Sequence, residues 1–164
     1  MLYILDGYNL LFTLTESDQP LAQQRQKIIR FLQKKFASFH MNGILVFDGR
    51  VRRGEESGRS YPSPLEVVYT PKGQSADHFI IERIEASENP RQITVVTNDK
   101  GLIANSRPFG TKTIGNAEFI EWLLGRKKKN AAQKSHIADS KKNIERLLTI
   151  FEKRLNEESS NDFE

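Results

Sequence analysis

Residues 2–9 read LYILDGYN, an apolar run of four residues closed by an aspartate and a glycine. An apolar run of this length before a turn signal predicts a short strand buried on both faces, as in parallel sheets. The pattern returns in LVFDG at residues 45–49 and in VVTND at residues 95–99. In a parallel sheet flanked by helices, the carboxyl ends of the strands lie along one edge. The aspartates that close these runs are therefore expected to meet at that edge.

The whole chain carries the alternation of strands and helices that such a sheet requires. The predicted strands are residues 2–5, 44–47, 65–70, 93–97 and 111–114, the last of them an edge strand. Residues 7–20 are predicted as a loop and residues 50–64 as a mobile basic loop. Helices are predicted to begin at Leu21, near Ser75 and after Asn98 or Asp99, and a last one to end near Leu124. This order predicts an α/β fold with three layers, α/β/α, and a mainly parallel central sheet.

Length and composition limit what can surround this sheet. The 164 residues suffice for one domain, predicted at residues 1–125, and an extension at residues 126–164 with a basic linker, a helix and a frayed acidic tail. The absence of cysteine excludes disulfides and thiolate zinc sites. No apolar run is long enough for a membrane span, and no signal peptide is visible, so a soluble cytoplasmic protein is expected. The apolar stripe of the C-terminal helix is expected to pack on the domain or on a second copy, as a homodimer.

Four aspartates occupy strand ends or helix starts: Asp6, Asp48, Asp77 and Asp99. Each has an ordinary explanation, because Asp-Gly is a common turn, an aspartate can cap a helix, and an acid favours the first turn of a helix. Asp77, however, shares the helical register of Ile80 and Ile84, which predicts that it faces the sheet. Four carboxylates at one edge would repel one another unless a cation compensates. We therefore predict that the four form a catalytic metal site.

The chemistry of the predicted site follows from its ligands. Carboxylates without thiols or paired histidines favour Mg²⁺ or Mn²⁺ over zinc. Such ions suit the hydrolysis of phosphodiesters, because they bind phosphate oxygens and lower the pKa of a bound water. Asn9 and Asn98 are predicted supporting polar residues that orient water or phosphate, with local turn hydrogen bonds as the alternative. The sequence has no nucleophilic triad pattern and no glycine-rich phosphate loop, so neither triad chemistry nor a bound nucleotide is expected.

Basic and aromatic residues near the same edge are typical of a nucleic-acid surface. The net charge is only +4, but arginines cluster directly after Asp48 and close to a tyrosine that could stack on a base. A solvated loop is the alternative interpretation. The predicted RNA-binding residues are Arg50, Arg52, Arg53, Arg59, Tyr61, Lys72 and Lys100.

Five short motifs in order give the chain a family resemblance. They are DGYN at residues 6–9, VFDG at 46–49, EVVYT at 66–70, SAD at 75–77 and VVTND at 95–99. Together they resemble the YacP-like branch of the NYN domain family, whose fold is similar to that of PIN nucleases, over about residues 1–125. The resemblance implies a ribonuclease with a Mg²⁺ or Mn²⁺ site that cuts single-stranded RNA, in this branch mRNA in the context of the ribosome. By motif position the four aspartates take the acidic positions and Asn9 a supporting one.

One departure from the family pattern leaves alternatives open. The branch often has a glutamate four residues after the helix aspartate, where this chain has Ile81, and Glu82 is displaced by one position. An RNA- or ribosome-binding module of the same fold that does not cut is therefore the second hypothesis. A Mg²⁺-dependent phosphotransferase or phosphatase ranks last, because Tyr8 stands where its second carboxylate would be expected.

Overall fold

The computed structural model describes residues 1–15, 18–49, 58–60, 64–125, 148–154 and 156–157, with the backbone alone at 58–60. Within these ranges the strands are β1 (Leu2–Asp6), β2 (Asn42–Phe47), β3 (Gly58–Ser60), β4 (Leu65–Tyr69), β5 (Ile93–Val96) and β6 (Lys112–Ile114). The α-helices in the same part of the chain are α1 (Gly7–Leu14), α2 (Leu21–Ser38), α3 (Ala76–Glu85), α4 (Lys100–Ser106) and α5 (Asn116–Gly125). Short 3₁₀ turns at Pro90–Gln92 and Arg107–Phe109 precede β5 and follow α4. Among the described residues, no helix has the length and apolar character to cross a membrane.

The described strands form one sheet with the order β3-β4-β2-β1-β5-β6. All neighbouring pairs are parallel except β3 with β4, which is antiparallel. Strand β1 lies in the middle, where Asp6 is level with Val46 of β2 and Leu5 with Val96 of β5. The mainly parallel α/β fold and the edge position of β6 are confirmed.

Side chains alternate between the two faces of the sheet and form a hydrophobic layer on each. Leu5 and Leu45 belong to the layer covered by α1, α2 and α5. Ile4 and Ile44, their neighbours in sequence, belong to the layer covered by α3 and α4. All four are at most 4% exposed, and burying such a side chain contributes about 1.5–3 kcal/mol. The fold therefore has three layers, α/β/α, which the continuous apolar runs predicted.

Helix α1 corrects the prediction that residues 7–20 form a loop. The chain enters Gly7–Leu14 directly after β1 without a polar N-cap bond, and the helix has only eight residues. Leu10, Leu11 and Leu14 are at most 1% exposed. Tertiary burial of this face therefore stabilises a helix that is too short and too weakly marked for local sequence signals to reveal.

Strand β3 corrects part of the predicted basic loop at residues 50–64. The backbone of Gly58–Ser60 pairs with β4, with Arg59 level with Val68. A Gly-Arg-Ser sequence has no apolar alternation, so only the pairing with an otherwise open sheet edge makes it a strand. Residues 50–57 and 61–63 of the predicted loop lie outside the described residues.

The C-terminal helical segment, residues 148–154 and 156–157, packs on the domain. Phe151 is completely buried, and its ring meets that of Phe31 in α2 edge-on, with 4.9 Å between the centroids. The predicted packing of the C-terminal stripe on the domain therefore holds at Phe151. The predicted basic linker and the first part of the predicted helix lie outside the described residues.

Candidate active site

The carboxyl edge of the sheet is built around Asp6, the last residue of β1 and the residue before α1. The next residue has to be a glycine for steric reasons. A Cβ atom on Gly7 would lie 2.6 Å from the Phe47 ring and 2.7 Å from the carbonyl oxygen of Val46. This close approach lets α1 begin directly at the edge, so Asp6 stays where the strand delivers it.

Asp6 is a buried carboxyl group with other acids around it. Asp6 as a whole is 7% exposed. Burial, the largest cause, and the carboxylates of Asp77 and Asp99 raise the pKa of Asp6 to about 7. A hydrogen bond from Thr97 and the backbone of Asn9 act in the opposite direction. Asp6, Asp77 and Asp99, which come from three separate stretches of sequence, therefore share one electrostatic environment.

Thr97 takes part in this site because of the strand register. Since Leu5 is level with Val96, the next residues on the two strands, Asp6 and Thr97, are neighbours at the edge. The Thr97 hydroxyl donates to Oδ2 of Asp6 at 3.2 Å and accepts from the backbone N–H of Asp99 at 3.1 Å. Thr97 is completely buried. The sequence analysis did not single it out, although its place in VVTND between a strand and Asp99 is a usable signal.

Asp77 lies in the first turn of α3, whose N-cap Ser75 accepts from the backbone N–H of His78. Ile80 and Ile84 on the same helix are completely buried, and Asp77 itself is half-buried. Its effect on the pKa of Asp6 agrees with the prediction that it faces the sheet.

A groove of about 500 Å³ runs beside Asp77, lined by His78, Ile81, Glu82, Glu85 and Asn105. Nε2 of His78 and Oε1 of Glu82 are 2.9 Å apart. The Glu82 side chain also accepts from Gln74 at 2.8 Å. Ile81, at the position where the family often has a glutamate, thus lies in the wall of this groove.

Asp99 is the N-cap of α4, and its Oδ1 accepts from the backbone N–H of Leu102 at 2.8 Å. The capping role that the sequence offered as an alternative is therefore real. The same carboxylate also raises the pKa of Asp6, so capping the helix does not remove Asp99 from the surroundings of Asp6. One oxygen is held by the helix, which fixes the direction of the other.

Asp48 follows β2 at the same edge and is half-buried. It is followed by Gly49, where a Cβ would lie 1.7 Å from the carbonyl oxygen of Thr70. The backbone N–H of Gly49 donates to Oγ1 of Thr70 at 2.9 Å. That Asp48 joins Asp6, Asp77 and Asp99 in one site stays a prediction.

The two predicted supporting asparagines are joined by a third, Asn116, which the sequence analysis missed. Oδ1 of Asn9 accepts from the backbone N–H of Asn98 at 2.8 Å and from Nδ2 of Asn116 at 2.7 Å. Oδ1 of Asn98 accepts from the backbone N–H of Asn116 at 3.0 Å. These bonds join Asn98 to residues 89 and 18 positions away, so they are not the local turn bonds proposed as its alternative. They tie the end of β5 to α1 and to the start of α5. The signal for Asn116 was its place after a strand, directly behind Gly115.

Arg25 is a third residue that sequence reasoning missed, after Thr97 and Asn116. Arg25 is only 7% exposed although it lies on the amphipathic helix α2. Nη1 donates to the Tyr8 hydroxyl at 3.0 Å, and the guanidinium lies 5.9 Å from the centroid of the Tyr69 ring. Helical periodicity treats an arginine as a surface residue, so its burial between two rings was not predictable.

Two of the predicted RNA-binding residues have described side-chain environments. Lys72, in the turn after β4, and Lys100, the first residue of α4, are both exposed at the carboxyl edge. The backbone of Arg59 is in β3, while its side chain lies outside the described part of the structure. The others, Arg50, Arg52, Arg53 and Tyr61, also lie outside it.

The acidic side chains around Asp6 suit the metal that the family resemblance implies. Asp6, Asp77 and Asp99 are oxygen donors of the kind that Mg²⁺ and Mn²⁺ prefer. The pKa of Asp6 is raised mainly by burial and further by the charges of Asp77 and Asp99, and a divalent cation would oppose both effects by favouring the ionised carboxylate. The chemistry of the donors therefore fits the ion. Within the described ranges, no group of three or more His, Asp or Glu side chains is already arranged to hold a metal ion.

Comparisons with known proteins agree on the fold. The crystal structure of Rae1 (YacP) from Bacillus subtilis is similar with a TM-score of 0.61 and 18% identity, covering 99% of this chain and 83% of that one. A mutant of the same protein gives a TM-score of 0.61 and 19% identity, covering 80% of this chain and 87% of that one. No curated protein matches the chain. The sequence model described as the YacP-like NYN domain matches residues 3–164. The chain therefore belongs to the YacP-like NYN domain family and has its PIN-like, nuclease-like fold.

Proposed function

We propose that this protein is a metal-dependent endoribonuclease that hydrolyses phosphodiester bonds of single-stranded RNA. The observation that carries the proposal is the shared environment of Asp6, Asp77 and Asp99 at the carboxyl edge of a nuclease-like fold. Ligand sites of open α/β sheets lie at this edge. An acid whose pKa rises to about 7, mainly through burial and further through two neighbouring acids, is costly to the fold, and such groups are typical of functional sites.

Asp6, Asp77 and Asp99 would hold Mg²⁺ or Mn²⁺, with Asp48 at the neighbouring strand end. When bound, the ion supplies charge stabilisation at a phosphate and lowers the pKa of a water. Asp6 is supported by the hydrogen bond from Thr97, which favours its charged form. The N-cap bond from Leu102 holds one oxygen of Asp99. These bonds keep the carboxylates in place before a cation arrives, which limits the reorganisation that binding requires.

The substrate would lie across the carboxyl edge. Lys72 and Lys100 are exposed there and would bind backbone phosphates, as the predicted arginines of residues 50–59 would. Single-stranded RNA suits such an edge because its backbone and bases are both accessible. The resemblance to the YacP-like branch supports mRNA in the context of the ribosome as the setting, and the proposal includes the ribosome on that ground alone.

A second candidate is an RNA- or ribosome-binding module that does not cut. Two observations favour it: Ile81 lies in the groove beside Asp77, where the family often has an acid, and the described acids are not arranged as a metal site. Both candidates predict RNA binding that weakens with salt, so binding alone does not distinguish them.

The test is a titration of Mg²⁺ and Mn²⁺ into the wild type and an Asp6→Asn, Asp77→Asn double mutant, with and without ribosomes. Cleavage of an end-labelled single-stranded RNA is followed on gels. The nuclease predicts metal-dependent products from the wild type and a loss of at least a hundredfold in the mutant. The exposed Asp18→Asn is the matched control and should cut like the wild type. RNA binding without products at any metal concentration, with or without ribosomes, would favour the binding module.

A further inference from the structure

The side chain of Asn116 ties three elements of the site together from a fully buried position. Nδ2 donates to Oδ1 of Asn9 at 2.7 Å, and it also contacts the Asn9 carbonyl oxygen at 3.1 Å and Oγ1 of Thr13 at 3.0 Å. Its backbone N–H reaches Oδ1 of Asn98. Residues from α1, the end of β5 and the start of α5 therefore meet at this one amide.

The amide group of Asn116 is not explained by stability alone. Its Oδ1 is buried and has no hydrogen-bond partner among the described residues, and such an unpaired atom destabilises a fold. The bonds that Nδ2 donates offset this cost, and two of the three acceptors belong to Asn9. The position of Asn9 is thus what the buried amide maintains.

The lone pairs of Asn9 decide where the Thr97 proton points. The Thr97 hydroxyl has a single proton and two acceptors within reach, Oδ2 of Asp6 at 3.2 Å and Oδ1 of Asn9 at 3.3 Å. An amide oxygen has two lone pairs. On Asn9 the shorter bonds from the Asn98 N–H and from Asn116 occupy both. The proton of Thr97 is then left for Asp6.

We propose that Asn116 is a positioning residue for the site: by filling a lone pair of Asn9, it directs the Thr97 hydroxyl to Asp6. Without the Asn116 amide, Oδ1 of Asn9 can take the Thr97 proton, and Asp6 loses its hydrogen bond. We call the hydrogen bonds that run from Asn116 through Asn9 and Thr97 to Asp6 the relay. Its expected effect on cleavage rests on the proposed function, but the relay itself does not. Neighbouring groups of this kind typically change metal affinity or activity by about 10–100-fold.

The test compares Asn116→Ala, Thr97→Val and the double mutant with the wild type in single-stranded RNA cleavage and Mn²⁺ binding. Each single mutant should lower kcat at least tenfold and leave KM within twofold, because the relay acts on the reacting site and not on RNA binding. The kcat of the double mutant should be no more than about twofold below that of the less active single mutant, since both changes remove the hydrogen bond from Thr97 to Asp6. Thr97→Ser keeps the hydroxyl and should restore kcat to within threefold of the wild type.

Thr111→Val is the matched control. Thr111 is also a buried polar residue whose oxygen lacks a partner among the described residues, and it lies outside the site. This variant should leave kcat and Mn²⁺ affinity unchanged. If Asn116→Ala does not fold by circular dichroism, Asn116→Ser is held to the same criteria.

Calorimetric titration with Mn²⁺ separates this inference from the proposed nuclease activity. A wild type that cuts no RNA under any condition ends the nuclease proposal. A tenfold higher Mn²⁺ dissociation constant for Asn116→Ala than for the wild type would still support the relay. Equal Mn²⁺ affinity of the two proteins, or no Mn²⁺ binding by either, would overturn it. An unchanged kcat in Asn116→Ala, or losses that multiply in the double mutant, would overturn it in the cleavage assay.

Discussion

The carboxyl group of Asp6 should make the stability of the metal-free protein fall as the pH rises. Its pKa is 3.8 in the absence of the fold's influence and about 7 in the folded protein. Between these values the folded state binds a proton that the unfolded state has released, so the free energy of unfolding decreases with increasing pH. Each pKa unit corresponds to about 1.4 kcal/mol. The ionised carboxyl group therefore costs the fold about 4 kcal/mol at pH 8, of which about 3 kcal/mol appears between pH 5 and pH 8.

Asp6→Asn removes this titration and keeps an oxygen that can accept from Thr97. The assay is urea unfolding in EDTA at several pH values between 5 and 8. The variant should already exceed the wild type by about 1.5 kcal/mol near pH 5, and by about 4 kcal/mol at pH 8. The control Asp18→Asn, at an exposed position, should follow the wild type at every pH. Parallel curves for the wild type and Asp6→Asn would contradict this prediction, because they would mean that Asp6 ionises normally in the fold.

The same experiment with Mn²⁺ tests whether a cation relieves that cost. An ion that binds only the folded state stabilises it by about 2.7 kcal/mol at a hundred times its dissociation constant. At pH 8, Mn²⁺ should therefore raise the free energy of unfolding of the wild type and have little effect on Asp6→Asn. Equal stabilisation of both proteins would show that the ion binds away from Asp6.

Two further predictions concern the supports of the site. Gly49→Ala should lower the free energy of unfolding in urea titrations by more than about 2 kcal/mol, since the new Cβ would lie 1.7 Å from the Thr70 carbonyl oxygen. Gly125 has open space around it, so the control Gly125→Ala should be neutral or stabilising. Equal effects of the two changes would contradict the steric argument. Phe151→Ala should lower the free energy of unfolding by about 3–5 kcal/mol, because the Phe151 ring is completely buried. Phe12 is 58% exposed, so the control Phe12→Ala should lower it by less than about 1 kcal/mol. A small loss for Phe151→Ala would mean that the C-terminal segment does not stabilise the domain.

The fold class could be predicted because it depends on patterns that are local in sequence. Continuous apolar runs such as residues 44–47 indicate strands buried on both faces, and the structure has β2 at this position. Helix caps are equally local: Ser75 and Asp99 were expected at helix starts, and both accept N-cap bonds. Helix α1 and strand β3 were missed because packing and edge pairing, rather than local signals, stabilise them.

The candidate site likewise has a part that local sequence patterns predicted and a part that they did not. Local patterns were enough to predict that Asp6, Asp77 and Asp99 lie at one edge, because strand ends in a parallel sheet converge whatever the loops between them contain. Which groups surround Asp6, by contrast, depends on how distant parts of the chain pack together. The register of β1 and β5 puts Thr97 beside it, and burial together with two acids raises its pKa to about 7. Asn116 and Asn9 are 107 positions apart in the chain, and their contact depends on how α5 packs against α1, which no local pattern encodes.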